Sequence, residues 1–136
     1  MNYKKLALTS LAAFATIWLT DCVFHGYLME STYKATAHLW RAEAEMKSCF
    51  MMMILGQLLM GVFGTMIFVH GYKNTGWKEG VRFGILLGGL NLGNLLIMHV
   101  VAPYPVRLTA SWIAFGFVQW VIVGVVAACV YSSSKT

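Results

Sequence analysis

Residues 48–72 read SCFMMMILGQLLMGVFGTMIFVHGY, and this stretch contains no Asp, Glu, Lys or Arg. A helix needs roughly 20 predominantly apolar residues to cross the hydrocarbon core of a bilayer, and the stretch exceeds that length. It therefore predicts a membrane-spanning helix near 48–71.

Three more stretches on either side of it also lack charged residues, apart from a single acid. They lie between Lys5 and Glu30, interrupted only by Asp21, between Arg82 and Arg107, and between Arg107 and Lys135. Together the four stretches predict transmembrane helices near 6–27, 48–71, 82–103 and 109–131. With 59% apolar and 11% charged residues in 136, the composition also favours a membrane protein. We expect an all-α integral membrane four-helix bundle, one transmembrane domain over 1–136, with no room for a soluble catalytic module.

The orientation follows from the Lys and Arg residues of the short loops, which tend to remain cytoplasmic. With the N-terminus inside, the inner side carries Lys4, Lys5, Lys73, Lys78, Arg82 and Lys135, and the outer side carries Lys34, Arg41, Lys47 and Arg107. The excess on the inner side predicts that both termini are cytoplasmic. This topology also accounts for the net charge of +5, so the charge gives no reason to expect a nucleic-acid partner.

The outer loop between the first two spans, 29–47, is too long for a simple turn. On a helical wheel Lys34, His38, Arg41 and Glu45 share a polar face, while Trp40 lies among apolar or small residues. The pattern predicts one short amphipathic helix, which lies along the outer interface or covers the bundle. Ser31 or Thr32 is expected to cap its start.

An acid and two imidazoles fall at similar depths near the outer side. Asp21 and His25 are four residues apart, so on a helix they lie one turn apart on the same face. His99 in the third span lies within about 7 Å of both along the membrane normal by helical rise. A charge retained in a span usually faces protein or water.

This layer has two interpretations. In the first, Asp21 accepts a hydrogen bond from a neighbouring helix and His25 lies among the headgroups. In the second, Asp21, His25 and His99 bind a proton, a metal ion or a cofactor, since imidazole and carboxylate suit Zn²⁺, Cu²⁺ or Fe²⁺. A b-type haem between His25 and His99 is a further alternative.

Small and amide side chains in the spans predict where helices approach one another. In the third span Gly80, Gly84, Gly88 and Asn91 fall within a narrow arc, as expected of close helix packing. Gln57 in the second span and Gln119 in the fourth are central amides, and such residues are typical of a helix contact. Asn91 and Asn94 lie near the bilayer centre, where an unpaired amide is costly, so at least one of them should bond across helices. The predicted helix-packing positions are Gly80, Gly84, Gly88, Asn91, Gln57 and Gln119.

Several chemistries are disfavoured by the sequence. Disulfide exchange of the four-helix membrane type requires a Cys-x-x-Cys pair, whereas Cys22, Cys49 and Cys129 are isolated. Met51, Met52 and Met53 point in three directions on a helix, so they favour packing over copper binding. No phosphate-binding loop, nucleophile motif or zinc-protease spacing is present, and we do not expect an enzyme.

Two runs carry a resemblance to known proteins: Trp18-Leu-Thr-Asp-Cys-Val-Phe-His-Gly26 and Leu39-Trp-Arg-Ala-Glu-Ala-Glu-Met46. Through them the chain resembles, over its full length, an uncharacterised family of small bacterial four-helix inner-membrane proteins. The resemblance implies a helical fold and an inner-membrane location. Those proteins have no established activity, so it assigns no functional residue.

Two classes of function follow from these features. In the first, the protein is a helical accessory or scaffold protein that packs with itself or with a larger membrane complex through its glycine stripe. In the second, it is a small transporter, sensor or metal- or cofactor-binding protein that uses the outer Asp/His layer. Both have the lipid bilayer as their surroundings, and neither requires a cofactor.

Reporter fusions test the predicted topology. Because four spans are an even number and Lys and Arg favour the inner side, fusions at the C-terminus and after Gly76 should both report cytoplasm. A fusion at Trp40 should report the outer side. A C-terminus on the outer side would reverse the orientation and bring the Asp/His layer to the inner face.

Overall fold

The computed structural model describes residues 2–133, and these are helical with no strand among them. Lys135, which the sequence places on the inner side, lies outside the described residues. The elements are α1 (Tyr3–Val23), a π-helical turn (Phe24–Leu28), α2 (Glu30–Ala35), a 3₁₀ turn (Ala37–Leu39), α3 (Glu43–Ser48), α4 (Phe50–His70), α5 (Trp77–Val101) and α6 (Val106–Ser133).

Among the described residues four helical segments are long and apolar enough to cross a membrane, and this confirms the four long apolar helices predicted from the sequence. They are Tyr3–Leu28, Phe50–His70, Trp77–Val101 and Val106–Ser132. The third begins at Trp77 instead of the predicted 82, because Lys78, Glu79 and Arg82 are accommodated in its first two turns. The Glu79 carboxylate accepts hydrogen bonds from the backbone N–H groups of Lys73 and Thr75, which ties the preceding loop to the start of α5.

Helix α6 contacts each of the other three long helices. It runs beside α5 and beside α1, while α4 packs mainly against α1 and touches α6 only lightly. One buried cluster joins Ala13 and Ile17 of α1 to Trp120 and Val123 of α6. A second joins Phe68 of α4 to Ala127 and Ala128 of α6. The helices α4 and α5 follow each other in the chain, yet they are held together chiefly through α1 and α6.

The predicted glycine stripe of the third span lies against α6. A Cβ atom added to Gly80 would lie 2.2 Å from the carbonyl oxygen of Gly124, and one added to Gly84 would lie 2.4 Å from that of Trp120. At Gly88 the nearest atoms belong to Phe117. The α5 and α6 backbones therefore touch with no side chain between them, so these glycines serve a contact within the chain.

The outer loop differs from its prediction as one amphipathic helix. It is broken into α2, the 3₁₀ turn and α3, and Trp40 between the last two has an extended backbone with φ −105° and ψ 156°. The Trp40 indole donates to Thr36 Oγ1 at 3.1 Å and its ring contacts Tyr104 and Trp112. These contacts hold Trp40 in a position that a continuous helix does not allow. The predicted Ser31 or Thr32 cap is also wrong, since α2 begins after Met29 without a side-chain cap.

Replacing Gly84 with Ala tests the backbone contact. One added methyl group would collide with the α6 backbone, and overpacking of this kind typically costs about 1–3 kcal/mol in the free energy of unfolding. Gly89→Ala is the matched control, because nothing lies within 4 Å of a Cβ atom at Gly89. Thermal unfolding in detergent should show a loss of stability for Gly84→Ala and none for Gly89→Ala. Equal stability of the two variants would mean that the α5–α6 contact is looser than described.

Candidate functional site

The predicted pair Asp21 and His25 lies where α1 gives way to the π-helical turn. The wider turn is closed by the Met29 N–H, which donates to the Phe24 carbonyl oxygen five residues back at 2.9 Å. Short π-helical turns are rare and frequently occur at functional sites. His25 Nε2 lies 4.0 Å from Asp21 Oδ1, so the two side chains predicted to share one face are close in the structure.

Both oxygens of the Asp21 carboxylate accept a hydrogen bond from a glutamine on another helix. Gln57 Nε2 of α4 donates to Oδ2 at 2.7 Å, and Gln119 Nε2 of α6 donates to Oδ1 at 2.7 Å. The two glutamines are 8% and 7% exposed, so these bonds are shielded from solvent. Asp21 therefore joins three helices, as its first interpretation requires.

The orientation of Gln119 is fixed by its other partners. Its Nε2 also donates to Thr20 Oγ1 at 2.8 Å, and the Thr20 hydroxyl itself donates to the Thr16 carbonyl oxygen at 2.7 Å. Because that hydroxyl hydrogen is already used, Thr20 can only accept from Gln119. Gln119 therefore presents N–H groups to Asp21. Gln57 differs, since its buried Oε1 has no hydrogen-bond partner among the described residues.

A second chain of hydrogen bonds leads from His25 towards the outer loop. The Trp112 indole can only donate, and it donates to the Tyr33 hydroxyl oxygen at 2.8 Å. The Tyr33 O–H is then free to donate to His25 Nδ1, with which it is in hydrogen-bond contact. A neutral His25 that accepts at Nδ1 carries its hydrogen on Nε2, which faces Asp21.

Tyr33 is half-buried, and its ionisation is suppressed. Burial raises the pKa of the Tyr33 hydroxyl above its usual value, the hydrogen bond from Trp112 opposes this, and the Asp21 charge adds to the rise. The hydroxyl therefore stays protonated at neutral pH and is available as a donor.

Aromatic rings lie above these polar groups. We call four of these rings the aromatic cover. They contact one another edge-on, stacked or tilted, with centroid separations of 5.0 to 6.0 Å, and they belong to Tyr33, Trp40, Tyr104 and Trp112. Below them Phe24 stacks on Phe115 at 3.8 Å. The cover ties the outer loop to the α5–α6 turn and to the start of α6.

His99 has a different partner from the one predicted. Its Nδ1 lies 2.9 Å from Thr109 Oγ1 of α6, and no hydrogen bond joins it to Asp21 or His25 within residues 2–133. Across the same residues no three His, Cys, Asp or Glu side chains converge as a metal site requires. The predicted metal site at Asp21, His25 and His99 and the alternative haem site stay predictions from the sequence.

Sequence reasoning missed part of this site. Gln57 and Gln119 were predicted as helix-packing residues, but nothing indicated that both would meet Asp21. Their central position in two spans was the available signal. Tyr33 and Trp112 were not predicted. Tyr33 lies in the outer loop and Trp112 near the start of α6, and helical periodicity within one segment does not relate either residue to α1.

A groove lies on the other side of α4, between it and α5. Its volume is about 650 Å³, and Trp120 of α6 contributes to its lining. The lining is apolar except for the amides of Asn91 and Asn94. Asn91 also packs against α6, where a Cβ atom on Gly116 would lie 2.5 Å from its Nδ2. The groove is open along its side, unlike the enclosed surroundings of Gln57 and Gln119.

No family model, no curated protein and no solved structure matches this chain. The resemblance to small bacterial four-helix inner-membrane proteins therefore stays a prediction from the sequence. The geometry around Asp21 and in the α4–α5 groove is what supports a function.

A double-mutant cycle tests the Asp21–Gln119 hydrogen bond. Hydrogen bonds between transmembrane helices couple by about 0.6 kcal/mol on average and by up to about 1.7 kcal/mol. Gln119→Leu and Asp21→Leu should each lower the free energy of unfolding in detergent. The double variant should lose less than their sum by an amount in that range. Additive losses would mean that the two side chains are not bonded in the folded protein.

Proposed function

We propose that this chain is a small multi-pass protein of the bacterial inner membrane, with both termini cytoplasmic, that binds and releases a proton at Asp21 and His25. Such a site suits a small sensor or proton-coupled transporter and requires no metal or organic cofactor. The observation that carries the proposal is the Asp21 carboxylate, held by two buried glutamines within an apolar span with an imidazole 4.0 Å away. Ionisable groups at such depths commonly mark proton or ion pathways.

The glutamines hold the carboxylate without neutralising it. Their amides supply hydrogen bonds but no net charge, so the Asp21 charge is balanced only if His25 is protonated. The titratable groups that face Asp21 are His25 and Tyr33, while α4 and α6 present the non-titrating Gln57 and Gln119. One proton on His25 therefore converts a lone, partly buried charge into an ion pair.

Tyr33 provides a route for that proton. Its O–H donates to His25 Nδ1, so the hydroxyl can pass its hydrogen to the ring while its oxygen takes a proton from a hydronium ion at the half-buried outer side, which leaves water. The N–H bond at Nδ1 forms as the Tyr33 O–H bond breaks, and a new O–H bond restores the tyrosine. The net result is an imidazolium beside Asp21 and an unchanged Tyr33.

Proton binding also reverses a hydrogen bond to the outer loop. In the imidazolium both ring nitrogens are donors, so His25 Nδ1 donates to the Tyr33 oxygen, which already accepts from Trp112. The Tyr33 hydrogen must then turn to another acceptor. Because the Tyr33 ring packs edge-on against Trp40 at 5.4 Å, the change reaches the aromatic cover. This coupling favours a sensor, in which the outer loop responds to the proton.

Nuclear magnetic resonance of histidine-labelled protein in nanodiscs tests the proposal. Removing the carboxylate charge with Asp21→Asn should weaken proton binding at His25, because the imidazolium loses the charge that it pairs with. The ring signals of His99, which is bonded to Thr109, are the internal control and should not depend on Asp21. His38→Ala is the control variant and should leave the His25 midpoint where it is.

If His25 binds its proton equally well in Asp21→Asn, the Asp21 carboxylate only holds the helices together and has no role in proton binding. The chemical shifts of the Trp40 and Trp112 indoles, followed in the same titration, report on the aromatic cover. They should change with the His25 midpoint in the unmodified protein. Indole signals that stay constant across that pH range would contradict the sensor role.

A further inference from the structure

We propose that a pocket at the ends of α4 and α5 nearest their connecting loop binds the headgroup of an anionic phospholipid, whose phosphate is held by Lys73 and Arg82. The volume of this pocket is about 300 Å³, near the lower end of the roughly 300–1,000 Å³ of small-molecule sites. Such a volume accommodates a headgroup, while the acyl chains remain in the bilayer. The site rests on the membrane location proposed above and uses none of the groups around Asp21.

Two basic side chains of this pocket lack a counter-ion. Within residues 2–133 neither the Lys73 ammonium nor the Arg82 guanidinium has a hydrogen-bond or ion-pair partner. The Glu79 carboxylate also lines the pocket, but it accepts hydrogen bonds from the backbone N–H groups of Lys73 and Thr75 and from the Thr75 hydroxyl. The acid at this site is therefore engaged by the loop, and both cations remain available to a ligand.

The pocket lies at the depth of lipid headgroups. Trp77, the first residue of α5, is 57% exposed, and tryptophans are enriched where a membrane meets water. Lys73 belongs to the loop just before it, and Arg82 lies in the second turn of α5. Both cations are thus within reach of the phosphates of one leaflet. In the proposed topology this is the cytoplasmic leaflet, whose anionic lipids attract basic residues.

The charges of the pocket suit a phosphodiester. Lys73 and Arg82 together with Glu79 give the lining a net charge of +1. Phosphatidylglycerol carries a single negative charge, on its phosphate, and cancels the charge of the pocket. Phosphatidylcholine also carries a quaternary ammonium, so it has no net charge and leaves the pocket uncompensated. The planar Arg82 guanidinium can bind two phosphate oxygens at once, and Lys73 adds a point charge.

The apolar walls of the pocket favour a lipid over a soluble anion. They include Ile67, Phe83 and Leu86, of which Leu86 is 73% exposed. Ile67 also lines the larger α4–α5 groove, so the pocket and the groove adjoin along α4. A soluble phosphate would lose water against these side chains and gain no contact with them. A phospholipid has acyl chains that cover them while its phosphate reaches the two cations.

Native mass spectrometry of the full chain in detergent tests the site. The protein is mixed with phosphatidylglycerol or with phosphatidylcholine of the same acyl chains, and the lipid-bound fraction is measured. Phosphatidylglycerol should bind in preference. Arg82→Gln and Lys73→Gln should each weaken its binding about fivefold, as expected for one basic side chain near an anionic headgroup. Lys78→Gln is the matched control, because it removes the same charge from an exposed side chain of α5 that does not line the pocket.

Thermal unfolding in detergent distinguishes the lipid from a free anion and from a loss of folding. Without lipid, Arg82→Gln should unfold at the same temperature as the unmodified protein, because the Arg82 side chain has no partner among residues 2–133. Phosphatidylglycerol should raise that temperature more for the unmodified protein and for Lys78→Gln than for Arg82→Gln. Inorganic phosphate at the same concentration should not raise it.

Three results would each overturn the inference. They are equal binding of the two lipids, equal effects of Arg82→Gln and Lys78→Gln on phosphatidylglycerol binding, and an equal rise in unfolding temperature with inorganic phosphate. Asp21 and His25 are unchanged in every variant, so the outcome is separate from that of the proton-binding test.

Discussion

The Asp21 carboxylate is the point on which the arrangement of the helices depends. It lies on α1 and accepts hydrogen bonds from Gln57 of α4 and Gln119 of α6, so one side chain relates three helices that share little other polar contact. In an apolar environment each of these groups would be costly if unpaired. The two hydrogen bonds to Asp21 fix how α4 and α6 are rotated about their axes, and His25 lies one turn further on, in contact with Tyr33.

More of the fold than of the candidate site could be predicted from the sequence. Stretches without charged residues identified all four long helices, and helical spacing placed His25 beside Asp21. The partners of Asp21 depend on how separate helices are rotated, which the periodicity of one helix does not determine. The outer loop was wrongly predicted as one helix. Its polar pattern does not show which aromatic rings elsewhere in the chain will contact Trp40, and those contacts hold the Trp40 backbone extended.

The two faces of α5 show how backbone contact on one side opens space on the other. Gly80 and Gly84 let α5 approach α6 until their backbones touch. With α5 packed against α6, and α4 packed against α1 through Gln57 and Asp21, a groove remains between α4 and α5. The groove is thus a result of the same contacts that stabilise the rest of the molecule. Among residues 2–133 neither the Asn91 nor the Asn94 side chain makes a hydrogen bond, so the prediction that one of them bonds across helices is wrong.

The π-helical turn at Phe24–Leu28 has a consequence for how this chain relates to sequences of slightly different length. A turn closed by a bond five residues back contains one residue more than an α-helical turn. Because the wider turn takes up this residue locally, deleting one residue between Phe24 and Leu28 would give a regular helix and leave the direction of the chain beyond it nearly unchanged. The turn therefore lets the chain hold one residue more between α1 and α2 without moving the outer loop. A chain one residue shorter at this point can have the same arrangement of helices.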